Sequence, residues 1–319
     1  MRRHGLPSVR TLLDFQGRRL ADFAFELALG GMALVTVLLV LLLAVSMLRS
    51  GLSALLAFGP PFLWTTEWNP VTHSFGVLPA IYGTLATSFI ALLLAVPIGI
   101  CSAVFLAEIA PRWVAEPISF LIEMLASIPS VILGLWGLFV LVPLVREAES
   151  FLGQALGFVP IFSGPAYGVG LLSAGLILAI MILPILTSVI RDILKAVPMA
   201  QREAMLALGG TQWETIARAV LPYARSGIVG AIILALGRAL GETLAVSMVI
   251  GNTFQISISL FSPATTLSSL ISTQFREADN QLYLSALIAA GFVLFGITAV
   301  VNVLARLILW RIGGPAVTR

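Results

Sequence analysis

Long apolar segments separated by shorter polar ones dominate the hydropathy pattern of this chain. Each is at least as long as the roughly 20 residues with which a helix crosses a bilayer, and none alternates with the period of a barrel strand. Because a backbone in lipid must satisfy its own hydrogen bonds, the pattern predicts an all-α integral membrane protein with six transmembrane helices. The predicted spans are Leu27–Leu48, Ile81–Leu106, Ile118–Val145, Val169–Ile190, Ser226–Ile250 and Leu284–Leu304.

The composition agrees with this class. Hydrophobic residues make up 59% of the chain and charged residues only 10%, whereas a soluble domain carries roughly 25% charged residues. The chain has one cysteine, Cys101, and two histidines, His4 and His73, which are far apart in sequence. The sequence therefore predicts no disulfide within the chain, no metal site and no cofactor.

The placement of the basic residues predicts the orientation in the membrane. With the N-terminus in the cytoplasm, fourteen of the 18 Lys and Arg residues lie on the cytoplasmic side and three on the outer side. Since cytoplasmic loops carry such an excess, we predict that both termini face the cytoplasm (N-in/C-in) and that the basic excess does not mark nucleic-acid binding. The predicted domains are a cytoplasmic N-terminal segment 1–26, a first transmembrane helix 27–48, a periplasmic loop 49–80, a transmembrane domain 81–304 with a cytoplasmic loop 191–225, and a cytoplasmic tail 305–319.

The cytoplasmic loop 191–225 has the residues of a helical hairpin. Gly209 is suited to end a first helix, since glycine accepts the left-handed backbone of a helix end. Thr211 with Glu214 predicts a capping box at the start of a second helix, which Leu221–Pro222 should stop before the next span. A rigid hairpin suits the transmission of movement from a soluble partner, and an ordinary structured loop is the alternative.

ATP hydrolysis by this chain itself is excluded by its lysine usage. A phosphate-binding P-loop requires a glycine directly before its lysine. Lys195 is the only lysine, and Leu194 precedes it. We therefore predict that the chain is not an enzyme and that any ATPase is a separate protein.

Two charged residues lie inside the fifth predicted span. Arg238 is near its middle, where an arginine costs at least ~2.5–3.5 kcal/mol on insertion scales. Glu242 follows four residues later, so the two should share a helical face and neutralise each other. We interpret Arg238 as part of a path for an anion, and the alternative is a salt bridge that only stabilises the bundle. The predicted path residues are Arg238, Glu242, Thr243, Ser247 and Asn252.

Glycines form a neighbouring face of the same span. Gly230, Gly237 and Gly241 follow at seven- and four-residue spacing. The last two form a small-xxx-small pair, which allows a second helix to approach closely. We therefore predict a packing face beside the charged one.

The last outer loop contains a helix signal. Ser262 followed by Pro263 is typical of an N-cap and first helical position. We expect a short helix from there to about Glu277.

The hairpin sequence resembles a known coupling motif. Glu203-Ala204-Met205, Gly209 and Leu221-Pro222 resemble the EAA loop of binding-protein-dependent ABC importers, with Met205 and Ala219 as departures from its Ala and Ile. The resemblance implies that the loop docks in a groove of the ATP-hydrolysing subunit. The residues so implied in coupling are Glu203, Ala204, Gly209, Leu221 and Pro222.

The charged motif points to one family among these importers. Residues 237–243 and 248–252 resemble the PstC-type permeases of phosphate ABC importers, as do residues 67–70 and 128–138. The resemblance implies a type I ABC importer transmembrane fold and half of a heterodimeric pathway in the bacterial inner (plasma) membrane. It also implies three partners, namely a PstA-like second permease, a PstB-like ATPase dimer and a periplasmic PstS-like phosphate-binding protein.

Other functions remain open at this point. An Arg–Glu pair does not by itself distinguish phosphate from sulfate or molybdate. A proton-coupled secondary transporter could use Arg238 and Glu242 as a proton relay, although the hairpin has no purpose in that scheme. A sensory role beside a membrane kinase has no support in these residues.

Overall fold

The computed structural model describes the backbone of residues 9–313 and the side chains of residues 22–308. The first eight residues of the predicted N-terminal segment and the last six of the predicted tail lie outside the described residues. The chain divides into two units, residues 1–50 and residues 51–319. In the first unit, a single helix exposes its apolar side chains on all sides from residue 22 onward, as expected for a helix surrounded by lipid.

The described residues are almost entirely helical. A short antiparallel hairpin, β1 (Trp68–Asn69) and β2 (Ser74–Phe75), follows the first helix. Three helices contain a π-helical turn, at Phe105–Ile109, Gly137–Leu141 and Ile216–Val220. In chain order the helices are α1 (Val9–Phe58), α2 (Leu78–Ile109), α3 (Arg112–Ala126), α4 (Ser130–Leu156), α5 (Leu171–Lys195), α6 (Met199–Ala207), α7 (Gln212–Gly241), α8 (Leu244–Val249), α9 (Leu267–Gln274) and α10 (Gln281–Gly313).

Six of these helices are long and apolar enough to cross a membrane, which confirms the predicted number of spans. They are α1 from Asp22, α2, α4, α5, α7 and α10. The helix α5 is the centre of the second unit, because 67% of its most apolar stretch is buried, against 22–33% for the other spans of that unit. Its apolar side chains form the main core together with α2 and α7.

Small residues bring α2 and α5 close together. A Cβ atom at Gly175 of α5 would lie 2.4 Å from Ile90 of α2, and one at Gly99 of α2 would lie 2.8 Å from Leu186 of α5. The two helices therefore interlock at two levels, and large residues fit there only where glycine faces them.

A second, aromatic core lies around the β-hairpin. The ring of Phe75 stacks on Tyr283 at 5.1 Å and meets Trp68 edge-on at 4.9 Å. Tyr283 begins α10, so this cluster joins the hairpin to the last helix. Apolar side chains of α9 and of residues 54–62 complete it.

The predicted third span, Ile118–Val145, is wrong in its position. The helix α3 ends at Ala126, and the spanning helix α4 starts only at Ser130. Pro129 between them has an extended backbone (ψ 139°) and lacks an N–H group, so it begins a helix and cannot continue one. The hydropathy is continuous across two apolar helices that a proline separates, so the prediction merged them into one span.

The predicted fifth span, Ser226–Ile250, is also wrong at both ends. The helix α7 already begins at Gln212, and it ends at Gly241. Glu242 has an extended backbone (ψ 128°), and Leu244–Val249 form the separate helix α8. The spanning helix therefore stops beside the charged residues.

The helix predicted in the last outer loop exists, but it starts later than Pro263. The Ala264 N–H donates to the Ile250 carbonyl (3.0 Å), and the segment forms an isolated parallel bridge with Gly251. This pairing keeps residues 263–265 out of a helix. Thr266 caps α9 instead, because its hydroxyl accepts the Ser269 N–H at 3.1 Å.

Candidate functional site

A cavity of about 650 Å³ lies between the second half of α7 and the last part of α10. It contains Arg238 of α7, Glu242 just after the end of that helix, and one arginine of α10. Its lining residues are Gly230, Ile233, Leu234, Gly237, Arg238, Gly241, Glu242, Asn302 and Arg306.

Arg238 and Glu242 both line this cavity, but they do not neutralise each other as predicted. The side chain of Arg238 forms no ion pair and no hydrogen bond with any described residue. The helix ends at Gly241, so Glu242 no longer follows the helical register that would place it beside Arg238. The backbone carbonyl of Glu242 accepts a hydrogen bond from Ser268 at 2.8 Å, which ties this turn to α9. The guanidinium group is therefore free to meet an anion in the cavity.

The three glycines of the predicted packing face open onto the same cavity. A Cβ atom at Gly230, Gly237 or Gly241 would have no other atom within 4 Å. The predicted packing face and the charged face are thus one surface, and no helix in the described part of the chain packs against it. A close approach by a helix of another subunit stays a prediction.

The other predicted path residues lie elsewhere. Thr243 and Ser247 each donate to a backbone carbonyl two or three residues earlier, at 3.3 and 2.9 Å. Asn252 has a positive φ of 47° and binds the Ser247 carbonyl at 2.7 Å while its own oxygen accepts from Ser269. None of the three lines the cavity of Arg238. In this conformation Thr243 lies in the turn between α7 and α8, and Asn252 links Ser247 of α8 to Ser269 of α9.

The hairpin in the loop 191–225 has the predicted local structure at its turn. The helix α6 ends before Gly209, which has φ +82°. The Glu214 N–H donates to the Thr211 hydroxyl (3.2 Å), and the Thr211 N–H donates to the Glu214 carboxylate (3.0 Å). These bonds confirm the capping box at the start of α7.

The predicted stop at Leu221–Pro222 is wrong. The helix α7 runs through Pro222 as one continuous helix of 30 residues. A π-helical turn at Ile216–Val220 directly precedes the proline. Such a turn shifts the hydrogen-bond register by one residue, so the missing N–H and the ring of Pro222 are accommodated. The second hairpin helix and the fifth span are therefore one rigid element.

An ion pair that the sequence did not reveal fixes the hairpin to two spans. Arg202 of α6 binds both oxygens of Glu108, at 2.6 and 3.1 Å. The same guanidinium donates to the carbonyls of Leu194 (3.0 Å) and Val197 (2.5 Å) at the end of α5. Gln212 donates to the Glu108 carbonyl at 3.1 Å. The hairpin thus contacts the ends of α2 and α5 and continues directly into α7.

This pair is largely shielded from water. The side chains of Arg202 and Glu108 are only 15% and 10% exposed. The hydrogen bonds that Arg202 donates to Glu108 raise the pKa of Arg202, although burial acts in the opposite direction. The only sequence signal for the pair is that Glu108 is the sole acidic residue in the apolar helix α2.

A second ion pair fastens α3 to the central helix. Arg191 of α5, which is buried, donates to Glu123 of α3 at 3.1 Å. Glu123 falls within the predicted third span, Ile118–Val145. In the structure it belongs to α3 and has a protein partner.

A groove of about 480 Å³ lies on the hairpin surface. Of the predicted coupling residues, Ala204 and Pro222 line it, whereas Glu203, Gly209 and Leu221 do not. Apolar side chains stand exposed around it, with Leu208 84% exposed and Tyr223 54% exposed. The full lining is Gln201, Ala204, Met205, Leu208, Arg218, Ala219, Pro222, Tyr223 and Arg225.

Known proteins share both the sequence and the fold. The family described as "Binding-protein-dependent transport system inner membrane component" matches residues 95–313. The "Phosphate transport system permease protein PstC" of Mesorhizobium japonicum is 46% identical over 314 residues, covering 96% of each chain. The protein of the same name from Pasteurella multocida is 50% identical over 260 residues, covering 80% of this chain and 81% of its own.

Solved structures of ABC transporters share the fold of this chain. A chain of a bacterial alginate ABC transporter, crystallised in complex with an alginate pentasaccharide-bound periplasmic protein, superimposes with a TM-score of 0.62 at 18% identity. The superposition covers 92% of this chain and 98% of that one. A chain of the MetNI methionine ABC transporter in an inward-facing conformation gives a TM-score of 0.55 over 74% of this chain and 94% of its own. From its matched segment and its relatives, the chain belongs to the family of binding-protein-dependent transport system inner membrane components.

Proposed function

We propose that this chain is one of the two permease subunits of an ATP-driven phosphate importer, and that Arg238 lines the path of the phosphate ion. The observation that carries this proposal is an arginine without a protein partner in a cavity beside an apolar spanning helix. An unpaired intramembrane arginine is costly unless it serves an ion path. The phosphate assignment is supported by relatives named as phosphate permeases at 46–50% identity.

The chemistry of the cavity suits a transient anion. A guanidinium group presents paired N–H donors that match phosphate oxygens. Glu242 on the same cavity lowers its net positive charge, which prevents the ion from being held too tightly. The open glycine face of α7 allows the ion or a neighbouring helix to come near the backbone.

The rest of the assembly follows from the surfaces of this chain. The glycine side of the cavity is open, and a PstA-like second permease packs against it. The groove on the hairpin has the exposed apolar residues expected of a docking site for one subunit of a PstB-like ATPase dimer. A periplasmic PstS-like protein delivers phosphate on the opposite side, with both termini of this chain in the cytoplasm of a bacterial cell and its spans in the inner membrane.

The proposed cycle transmits force through the hairpin. Closure of the ATPase pair displaces α6, which is bound through Arg202 to the ends of α2 and α5. Because α7 is continuous from the hairpin to Arg238, the same displacement moves the cavity wall. The pathway then alternates between outward-open and inward-open states.

The rival functions fit less well. Sulfate or molybdate would use the same guanidinium chemistry, but the relatives at 46–50% identity are named for phosphate. A proton-coupled transporter leaves the rigid hairpin and its groove without a purpose. Phosphate uptake by this chain alone, driven by a pH gradient without ATP, would favour that rival.

Uptake of radiolabelled phosphate by the reconstituted importer tests the path. We expect the Arg238→Ala variant to lose roughly 10- to 150-fold in uptake rate, because charge-assisted hydrogen bonds are worth about 1.5–3 kcal/mol. Arg112→Ala is the matched control, since Arg112 is exposed at the start of α3 and lies outside the cavity. A parental rate in a correctly assembled Arg238→Ala importer would remove Arg238 from the path.

A further inference from the structure

A second arginine lines the cavity of Arg238. Arg306 lies on α10 and shares the cavity with Asn302, one helical turn earlier. The side chain of Arg306 forms no ion pair and no hydrogen bond with any described residue. The side chain of Arg202, by contrast, binds a carboxylate. The cavity thus contains two guanidinium groups and one carboxylate, that of Glu242. This balance leaves one positive charge for an anion.

The polar residues of α10 lie on one face. Thr298, Asn302 and Arg306 follow each other at four-residue spacing, which aligns them along the helix. The Asn302 amide donates to the Thr298 carbonyl at 2.9 Å, and its second N–H remains for a ligand. Val303 and Leu307, each one residue further along and so about 100° around the helix, are exposed. Arg306 therefore faces a polar cavity and not the apolar surface of α10.

The two arginines lie at different levels of the cavity. The helices α7 and α10 are consecutive spans and cross in opposite directions, so Arg306 near the end of α10 lies toward the start of α7. Arg238 lies eight residues after Gly230, the first cavity residue of α7, which corresponds to about 12 Å along the helix. An ion that moves along the cavity meets the arginines one after the other.

We infer that Arg306 and Asn302 form a second binding position for a phosphate-type oxyanion, on the side of Arg238 from which the ion leaves. The inference rests on the proposed function, in which Arg238 lines the path. Arg306 supplies charged donors and Asn302 a neutral one, both suited to phosphate oxygens. Conduction requires sites that are favourable enough to enter and weak enough to leave, and two successive positions meet that requirement.

Cysteine labelling in the complete reconstituted importer tests this position. Cys101 is first replaced by serine, since it is exposed and is the only cysteine, and Asn302→Cys then places a thiol in the cavity. An anionic and a cationic methanethiosulfonate reagent measure the local potential in phosphatidylcholine vesicles. We expect the ratio of the anionic to the cationic labelling rate to fall about tenfold or more when Arg306→Gln is added. The reason is that net positive charge in a cleft raises the encounter rate of anions to that extent.

Inorganic phosphate supplies the second readout. We expect millimolar phosphate to slow anionic labelling of a thiol at another cavity position, Ile233→Cys, which leaves Asn302 in place, when Arg306 is present and to have no such effect with Arg306→Gln. The matched controls are Arg112→Gln, which should leave the ratio unchanged, and Val303→Cys, one residue away on the apolar side, which should resist both reagents. An unchanged ratio in the Arg306→Gln protein, or labelling that phosphate does not slow, would overturn the inference.

The same experiment separates a free phosphate ion from a lipid headgroup. Suppression of labelling by phosphatidylglycerol in the vesicles, without any effect of inorganic phosphate, assigns Arg306 to a lipid and overturns the inference. The result for Arg238 is independent. Loss of uptake in Arg238→Ala together with an unchanged ratio in Arg306→Gln overturns only the second position, whereas parental uptake in Arg238→Ala overturns the proposed path itself.

Discussion

The arginines of this chain have two different uses, which their partners distinguish. Arg191 and Arg202 are buried and bind carboxylates of other helices at 3.1 and 2.6 Å. Arg238 and Arg306 line a cavity without such a partner in the described part of the chain. The first pair holds helices in place, since a buried ion pair left without one partner is costly. The second pair has its charge available for a ligand.

The ion pair between Arg202 and Glu108 should therefore contribute to stability. We expect Arg202→Met to lower the free energy of unfolding by about 2–3 kcal/mol, below the roughly 3–5 kcal/mol for a fully buried pair because some exposure remains. The double variant with Glu108→Gln should recover part of the loss, since no unpaired charge is then left. The Tm of the purified protein in detergent measures both effects.

A surface pair is the matched control for this prediction. Arg218 and Glu214 lie 3.5 Å apart, and the arginine side chain is mostly exposed, so Arg218→Met should shift the Tm only slightly. Equal shifts for Arg202→Met and Arg218→Met would contradict the structural role of the buried pair. ATP hydrolysed per phosphate ion transported should rise in the Arg202 variant, because the hairpin is then less firmly connected to α2 and α5.

At the scale of elements, prolines and glycines decide where helices end and how closely they pack. Pro129 separates α3 from α4, whereas Pro222 is carried within α7 by the π-helical turn before it. Gly175 lets α5 approach Ile90 of α2. The same residue type thus ends one helix and is tolerated in another, because the hydrogen bonding of the preceding turn differs.

The contact at Gly175 gives a prediction for α2 and α5. We expect Gly175→Ala to destabilise the protein by about 1–3 kcal/mol, because the added Cβ meets the Cβ and Cγ2 atoms of Ile90, which lie next to the backbone and cannot move aside. Thermal unfolding in detergent measures the loss. Gly296→Ala in α10 is the control, since nothing lies within 4 Å of a Cβ there, and alanine is the better helix former. A Tm for Gly175→Ala at or above that of Gly296→Ala would contradict this account of the packing.

At the scale of the molecule, the groove on the hairpin and the cavity of Arg238 belong to the same unit, residues 51–319. The groove on the hairpin and the cavity of Arg238 are both built on α7, which is continuous between them. The hairpin is also bound to α2 and α5 through Arg202. A displacement at the groove therefore reaches three spans at once.

The orientation of the molecule is testable with single cysteines. The experiment uses a Cys101→Ser background in cells whose outer membrane is permeabilised and whose plasma membrane is intact. We expect an impermeant thiol reagent to label Val71→Cys but not Leu208→Cys. Both positions are highly exposed, at 88% and 84%. In cells that lack the ATPase subunit the groove at Leu208 is uncovered, so labelling there depends on the side of the membrane. Disruption of the membrane should make Leu208→Cys reactive, and the reverse pattern would contradict the N-in/C-in topology.

Much of this architecture was predictable because local rules act without tertiary contacts. Six spans follow from the length of apolar runs, which the bilayer thickness sets. The capping box at Thr211 and the left-handed turn at Gly209 follow from side chains that bond within one turn. Arg238 and Glu242 were identified as unusual from their apolar surroundings alone, and both line the same cavity.

The predictions failed where local and tertiary interactions compete. The hydropathy of residues 226–250 is continuous, but the turn at Glu242 is bonded to Ser268, a residue 26 positions later, and so the helix ends early. Residues 263–265 carry a helix signal, but they pair with the segment after α8. No local pattern contains these partners.

The sequence by itself therefore determined the membrane class, the number of spans, the turn chemistry of the hairpin and the two charged residues of the predicted fifth span, Arg238 and Glu242. Only the tertiary structure decided that Glu108 holds Arg202, that Asn252 lies apart from Arg238, and that Arg306 of another helix shares the cavity. The physical reason is the range of the interactions. Burial in lipid and helix capping depend on neighbours within about one or two turns, whereas ion pairs and cavities depend on helices that are distant in sequence and meet only in the packed fold.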